Sequence, residues 1–166
     1  MDFAARLVNA RERIYMPELL TEVTSAKTKQ EKIDMLHAYS KKNAEHADML
    51  KDFIQCTFHP AVVLDLPEGV PPYSTEYPDY NLAPNTLNKA CKRVPYFVKG
   101  HSKYIEVRLK RERLYIQTLE SLFKADAELF IMIKDKKIDQ KKYKGCNEAL
   151  FREAFPAYLP VEQSPK

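Results

Sequence analysis

Five prolines, at positions 67, 71, 72, 78 and 84, fall within one short span of the chain. No helix propagates through such a run, because a proline lacks the amide proton and its ring collides with the carbonyl four residues earlier. The chain must therefore consist of two parts joined by an extended or polyproline II connection over 59–84. Tyr73, Tyr77 and Tyr80 are available there to lie along the domain surface. Val62, Leu64 and Leu66 alternate with Val63 and Asp65, which admits a short strand just before the prolines. A surface connection tacked down by its tyrosines is the first reading, and a ligand for a proline-recognising partner is the second.

Both flanking parts repeat at helical spacing. Before the prolines, Phe3, Leu7, Ala10 and Ile14 predict a helix over about 3–14. Pro17 suits the first turn of a second, with Leu19, Leu20 and Val23 inward. Thr28 and Glu31 form a capping box that opens a third, with Ile33, Leu36 and Tyr39 toward the core. Asn43 caps a fourth that carries Ala47, Leu50, Phe53, Ile54 and Phe58 and stops before Pro60. After the prolines, Leu87, Ala90, Cys91, Val94 and either Phe97 or Val98 share a face, Pro95 kinks or splits that helix, and Gly100 is placed as its C-cap. A long helix over 103–123 follows, with Ile105, Leu109, Ile116, Leu119 and Phe123 as its buried stripe. The segment 125–134 is apolar almost all round and is expected at the centre, and a last short helix, CNEALFREAF, ends at Pro156.

With only three glycines, hairpin turns that need positive φ are scarce, so the expected fold is all-α. We expect a single compact domain over 1–160 of seven or eight short helices, crossed by the Pro/Tyr-rich connection and followed by a frayed tail over 161–166. Charges interrupt every apolar run before it reaches the roughly 20 residues of a membrane span. The first 15 residues contain no uninterrupted apolar core of a secretory signal, which predicts a cytoplasmic protein. Cys56, Cys91 and Cys146 are odd in number and far apart, so reduced thiols are expected rather than a disulfide framework.

The net charge of +4 conceals a division. Between Lys89 and Arg113 nine bases stand against two acids, and between Lys134 and Lys144 six lysines stand against two, leaving the remainder at about −7. One basic face and an acidic back would produce this pattern. Lys89, Arg93, Lys99, Lys103, Lys110 and Arg113, converging on one side with Tyr96 and Tyr104 between them, would grip a phosphate backbone and offer rings to unpaired bases. The competing reading is an ordinary solvated surface, or one that meets a protein partner through an apolar patch or the Pro/Tyr segment.

Sharper chemistry finds little support. Cys56 and His59 have metal-ligand spacing, but Cys91, His101 and Cys146 are isolated, whereas a structural zinc site normally supplies two close pairs. Cys91, beside Lys92 and Arg93, is the least poor nucleophile candidate, with no base assigned to it. No phosphate loop, dinucleotide fingerprint or zinc-protease motif is present. We expect neither a catalytic activity nor a cofactor.

Five segments, LPEGVPPY at 66–73, YFVKG at 96–100, KRERLYIQTLESL at 110–122, DAELFIMIKDKK at 126–137 and YKG with EAFP over 143–156, occur in a distinctive order. In that order and wording the chain resembles an uncharacterised family of small proteins from tailed bacteriophages, chiefly T4-like phages of marine bacteria, over about 17–160. The resemblance implies a phage origin and a setting in the host cytoplasm. That family has no assigned activity, so the resemblance implies no catalytic residue. Pro95 and the added Lys141 and Lys142 depart from its pattern.

Overall fold

The structure, a computed structural model, describes residues 16–161. The helix expected over 3–14 and the tail beyond Val161 lie outside them. Seven α-helices and three short 3-10 turns are present among the described residues, without a named strand, in one compact all-α fold.

Local chemistry places most of the helix ends. Helix α1 (Met16–Ser25) carries Pro17 near its start and buries Leu19, Leu20 and Val23. Helix α2 (Lys29–Lys42) starts where the Thr28 hydroxyl accepts the Glu31 amide. The Glu31 carboxylate reaches back to the Lys27 amide rather than to Thr28 itself, so the orphan donor it satisfies lies one residue earlier than in the standard capping box. Asn43 ends α2 and caps α3 (Ala44–Phe58), accepting the His46 amide, so the two helices form a hairpin with a one-residue joint. Ile33, Leu36 and Tyr39 of α2 and Leu50, Phe53 and Ile54 of α3 are buried.

The connection runs extended from His59 to Thr86, broken by a 3-10 turn at Tyr80–Leu82. In place of the expected strand there is a single antiparallel bridge between Leu64 and Val98. Two of the three tyrosines meet the domain: Tyr73 packs on the core and the Tyr80 ring meets Phe123 edge-on.

Pro95 splits the next helix. Helix α4 (Leu87–Lys92) ends, and Val94–Phe97 continues as a 3-10 turn. Leu87, Ala90, Cys91, Val94 and Phe97 nevertheless remain on one buried face. Gly100 is no helix cap; it occupies a turn beyond the bridge at Val98, with the positive φ of 92° that a glycine tolerates.

The long helix is shorter than its periodicity predicts. Helix α5 spans Arg108–Glu120, and 101–107 forms a turn and an extended entry. Its buried side is Arg111, Tyr115, Thr118 and Leu119, while Leu109 is 65% exposed and Ile105, Ile116 and Phe123 are half-buried. The helix is thus rotated from the expected stripe. Arg111 turns inward because its guanidinium donates to the Asp65, Ile105 and Glu106 carbonyls, groups that the entry and the connection leave without backbone partners.

Helix α6 (Lys124–Asp135) is central, with α1, α3, α4 and α5 packed around it. Four neighbours explain its nearly all-round apolar surface. Helix α7 (Glu148–Ala154), capped by Asn147, packs on α2 and ends at the 3-10 turn Pro156–Tyr158. Phe151 of α7 stacks on Phe58 and meets Phe53 edge-on, tying the chain end to α3.

Candidate nucleic-acid interface

The corner between α4 and α5 is held by a short ladder of bonds. The Asp65 amide donates to the Phe97 carbonyl at 2.7 Å and the Ile105 amide to the Tyr96 carbonyl at 2.9 Å. Arg111 then reaches the Asp65 carbonyl at 2.7 Å, its guanidinium lying over the Tyr104 ring. The Tyr104 hydroxyl donates to the Asp65 carboxylate. That bond, then Arg111, Lys99 and Arg108 nearby, hold the Asp65 carboxyl below its usual range, and the same bond raises the Tyr104 phenol against the opposing charge of Arg111. Asp65 and Arg111 organise the corner, and neither was a candidate from sequence.

The eight candidate residues separate into three groups. Lys89, Lys99, Lys103, Lys110 and Arg113 are exposed and make no ion pair among the described residues. Tyr96 is exposed on the same corner. Arg93 and Tyr104 are committed internally: the Arg93 guanidinium donates to the Thr118 hydroxyl at 2.9 Å, locking α4 to α5, and Tyr104 is held by Asp65. The ladder brings Tyr96, Lys99 and Lys103 to the start of α5. Lys110 and Arg113 continue along the exposed side of that helix, and Lys89 lies one helical turn before Arg93.

Other bases of the same run are neutralised. Lys92 bridges Asp48 and Asp52 at 2.9 and 2.7 Å, and Arg108 pairs with Glu112. Two of the six lysines of the second run, Lys134 and Lys136, are spent inside the fold, while Lys141 and Lys144 stay exposed. Lys134, only 6% exposed, donates to the Pro67 and Gly69 carbonyls and pairs with Asp135. Lys136 takes the left-handed conformation that ends α6, with φ of 58°, and donates to the His59 and Val62 carbonyls. Both lysines thereby fasten the proline connection. Lys137 and Lys142 reach Glu68 and Glu128.

The thiols offer no reactive centre. All three cysteines are buried free thiols. A hydrogen bond with Cys56, and then burial, push the Cys91 thiol well above its ordinary value, opposite to what a nucleophile needs. The fold thus brings Cys56 beside Cys91, with neither His59 nor His101. Among the described residues no group of three His, Cys, Asp or Glu is arranged to hold a metal ion. One acid stands apart: Asp126, in the first turn of α6, is fully buried and neither carboxyl oxygen has a hydrogen-bond partner. Burial raises it to about 7, outweighing the favourable helix N-terminus.

Fold and corner together define an all-α protein in which several exposed bases make no ion pair among the described residues. The chain matches the family described as "Family of unknown function (DUF6433)" over residues 19–140, and it belongs to that family. No curated protein and no solved structure matches it. Among the described residues no helix is long and apolar enough to cross a membrane.

Proposed function

We propose that this protein is a non-catalytic accessory protein that binds nucleic acid, or a nucleoprotein complex, through the corner between α4 and α5. The supporting observation is the set of five exposed cations, Lys89, Lys99, Lys103, Lys110 and Arg113, which make no ion pair among the described residues, whereas Lys92, Arg108 and Arg111 of the same run are all paired. Unpaired cations on a rigid frame bind phosphates without first breaking internal bridges, and each phosphate contacted releases counterions. The likeness to small phage proteins supports an origin in a tailed bacteriophage and a place of action in the host cytoplasm.

The test is binding of labelled single-stranded and duplex DNA and RNA across a salt series. Affinity should fall with a log–log slope of about 0.9 per phosphate contacted on duplex DNA. Changing Lys103, Lys110 and Arg113 together to Glu should abolish binding while leaving the fold intact. Wild-type protein that binds nothing at low salt, or a triple variant that binds equally well, sinks the proposal.

A protein-protein adaptor or inhibitor, acting on a host or phage protein, is the second reading. It is favoured by Val107 and Leu109, 54% and 65% exposed at the start of α5 among the same cations. Exposed aliphatic groups gain nothing from a phosphate backbone and would gain from a protein surface. A pull-down from infected cells, with and without nuclease, separates the two: stoichiometric recovery of one protein that survives nuclease supports the adaptor.

A further inference from the structure

Of the candidate cations, Lys89 lines an open pocket of about 350 Å³ between the first turns of α3 and α4. Its size is at the lower end of small-molecule sites. His46, in the first turn of the 15-residue helix α3, lines it. His46 is 8% exposed, its ring stacks on the Tyr39 ring at 4.4 Å, and its Nδ1 has no hydrogen-bond partner among the described residues. A buried polar atom without a partner costs free energy that an incoming group can restore. Burial, and then Lys42, lower the imidazole's affinity for a proton, so it meets a ligand as a neutral ring.

The rest of the wall distinguishes among ligands. Met49 and Leu87 supply apolar faces suited to a flat ring. The Asn88 amide nitrogen is committed to Asp48, which leaves its carbonyl oxygen as an acceptor. Glu45 at the rim is a second acceptor, whereas the Asp48 charge is met by Lys92. Acceptors of this kind select a ring edge that carries N–H donors. They disfavour a bare phosphate inside the cavity. Lys89, on the rim, provides the cation, and one turn further along α4 is Arg93.

We propose that this cavity takes one unpaired nucleobase bearing an exocyclic amino group, with the adjoining phosphate at Lys89 and the strand continuing toward Lys110 and Arg113. The inference rests on the nucleic-acid reading and narrows it to single strands, since a base paired and stacked inside a duplex is not free to enter a pocket. Cytosine, adenine and guanine fit the acceptor-lined wall; thymine and uracil, without the amino group, fit it poorly.

The test uses the full chain and labelled strands of about twelve nucleotides, a length within the range that one single-strand site covers. Oligo-deoxycytidine should bind at least about tenfold more tightly than oligo-deoxythymidine or a duplex of the same length, the factor that one good base contact supplies. His46→Phe, which keeps the stack on Tyr39 but removes the ring nitrogens, and Met49→Trp, which fills the cavity, should each erase that preference without altering the salt slope. Equal binding of all three probes by the wild type, or an undiminished preference in a folded variant, overturns the cavity proposal and leaves the basic corner standing. If the wild type binds no strand, the nucleic-acid function fails. The cavity is then judged alone by titrating wild-type protein with cytidine monophosphate and following the His46 imidazole resonances by NMR. A saturable shift retains the cavity, and its absence overturns it. The same titration decides the matter should neither variant fold.

Discussion

Two lysines of the second basic run and four bases of the first look alike on paper and have opposite fates. In the second, the C-terminal end of α6 points Lys134 and Lys136 at carbonyls of the proline connection, and both ammonium groups become internal fasteners. In the first, Lys99, Lys103, Lys110 and Arg113 project from a corner whose inward-facing hydrogen bonds are already made by Arg111 and Arg93. A proline-rich segment explains the difference. Extended backbone without a strand partner exposes carbonyls that need donors, and the lysines beside it answer that need. Where such carbonyls are already satisfied, a cation remains at the surface for a partner.

This contrast is sharpest at Lys134. Lys134→Met should remove two carbonyl bonds and leave the Asp135 carboxylate with the Gly69 amide but no cation, costing on the order of 4 kcal/mol, since breaking a buried charge pair is far more damaging than losing a surface one. Thermal unfolding should show a drop of roughly 10 °C. A loss no greater than that of a surface lysine would erase the distinction between the runs.

Asp126 tests the converse, a buried charge that has no fastener. Its native value of about 7 lies above the unfolded value near 4, so between those pH values the folded state holds the proton more tightly. Stability from this group is therefore greatest in acid and falls as pH rises through that window, by on the order of 4 kcal/mol at full ionisation. Asp126→Asn should flatten the denaturation profile between pH 4 and 7, and stabilise the protein at pH 8 by about 2 kcal/mol, the neutral amide still being buried. A variant that is less stable at pH 8 would show that the carboxylate has a partner.

Arg111→Leu comes next. The side chain fills similar space but three carbonyls lose a donor, so we expect a loss of about 2 kcal/mol in chemical denaturation and local loosening of 101–107 in hydrogen exchange. Smallest of all is the stability effect of reversing Lys103, Lys110 and Arg113, within about 0.5 kcal/mol for each site. Their effect should be confined to binding. A large loss of stability would place them with Lys134 and Lys136.

What could be read in advance follows a physical division. Thr28 and Asn43 act on amides three residues away, and Pro95 acts on its own turn, so their consequences were legible one residue at a time. The apolar α6 was legible as a central helix because no solvated face existed to turn outward. The site was less legible. Arg93 and Tyr104 were candidates by charge and ring type, yet Thr118 and Asp65 claim them through contacts that local spacing does not reveal. His46 carried one available signal, its place three residues after the Asn43 cap, which puts a side chain at the mouth of a helix start.

The sequence by itself determined the all-α class, the proline break and the ends of most helices, because each depends on backbone chemistry within a few residues. Only the tertiary structure decided which side of α5 is buried and which cations are spent. Rotating α5 places Arg111 inside and Leu109 outside, a choice that contradicts hydrophobic periodicity and is made by carbonyls at 65, 105 and 106. A charge is neutralised by whatever the fold brings within about 3 Å of it. Here the deciding groups are near neighbours for some cations and lie 65 to 77 residues away for Lys134 and Lys136.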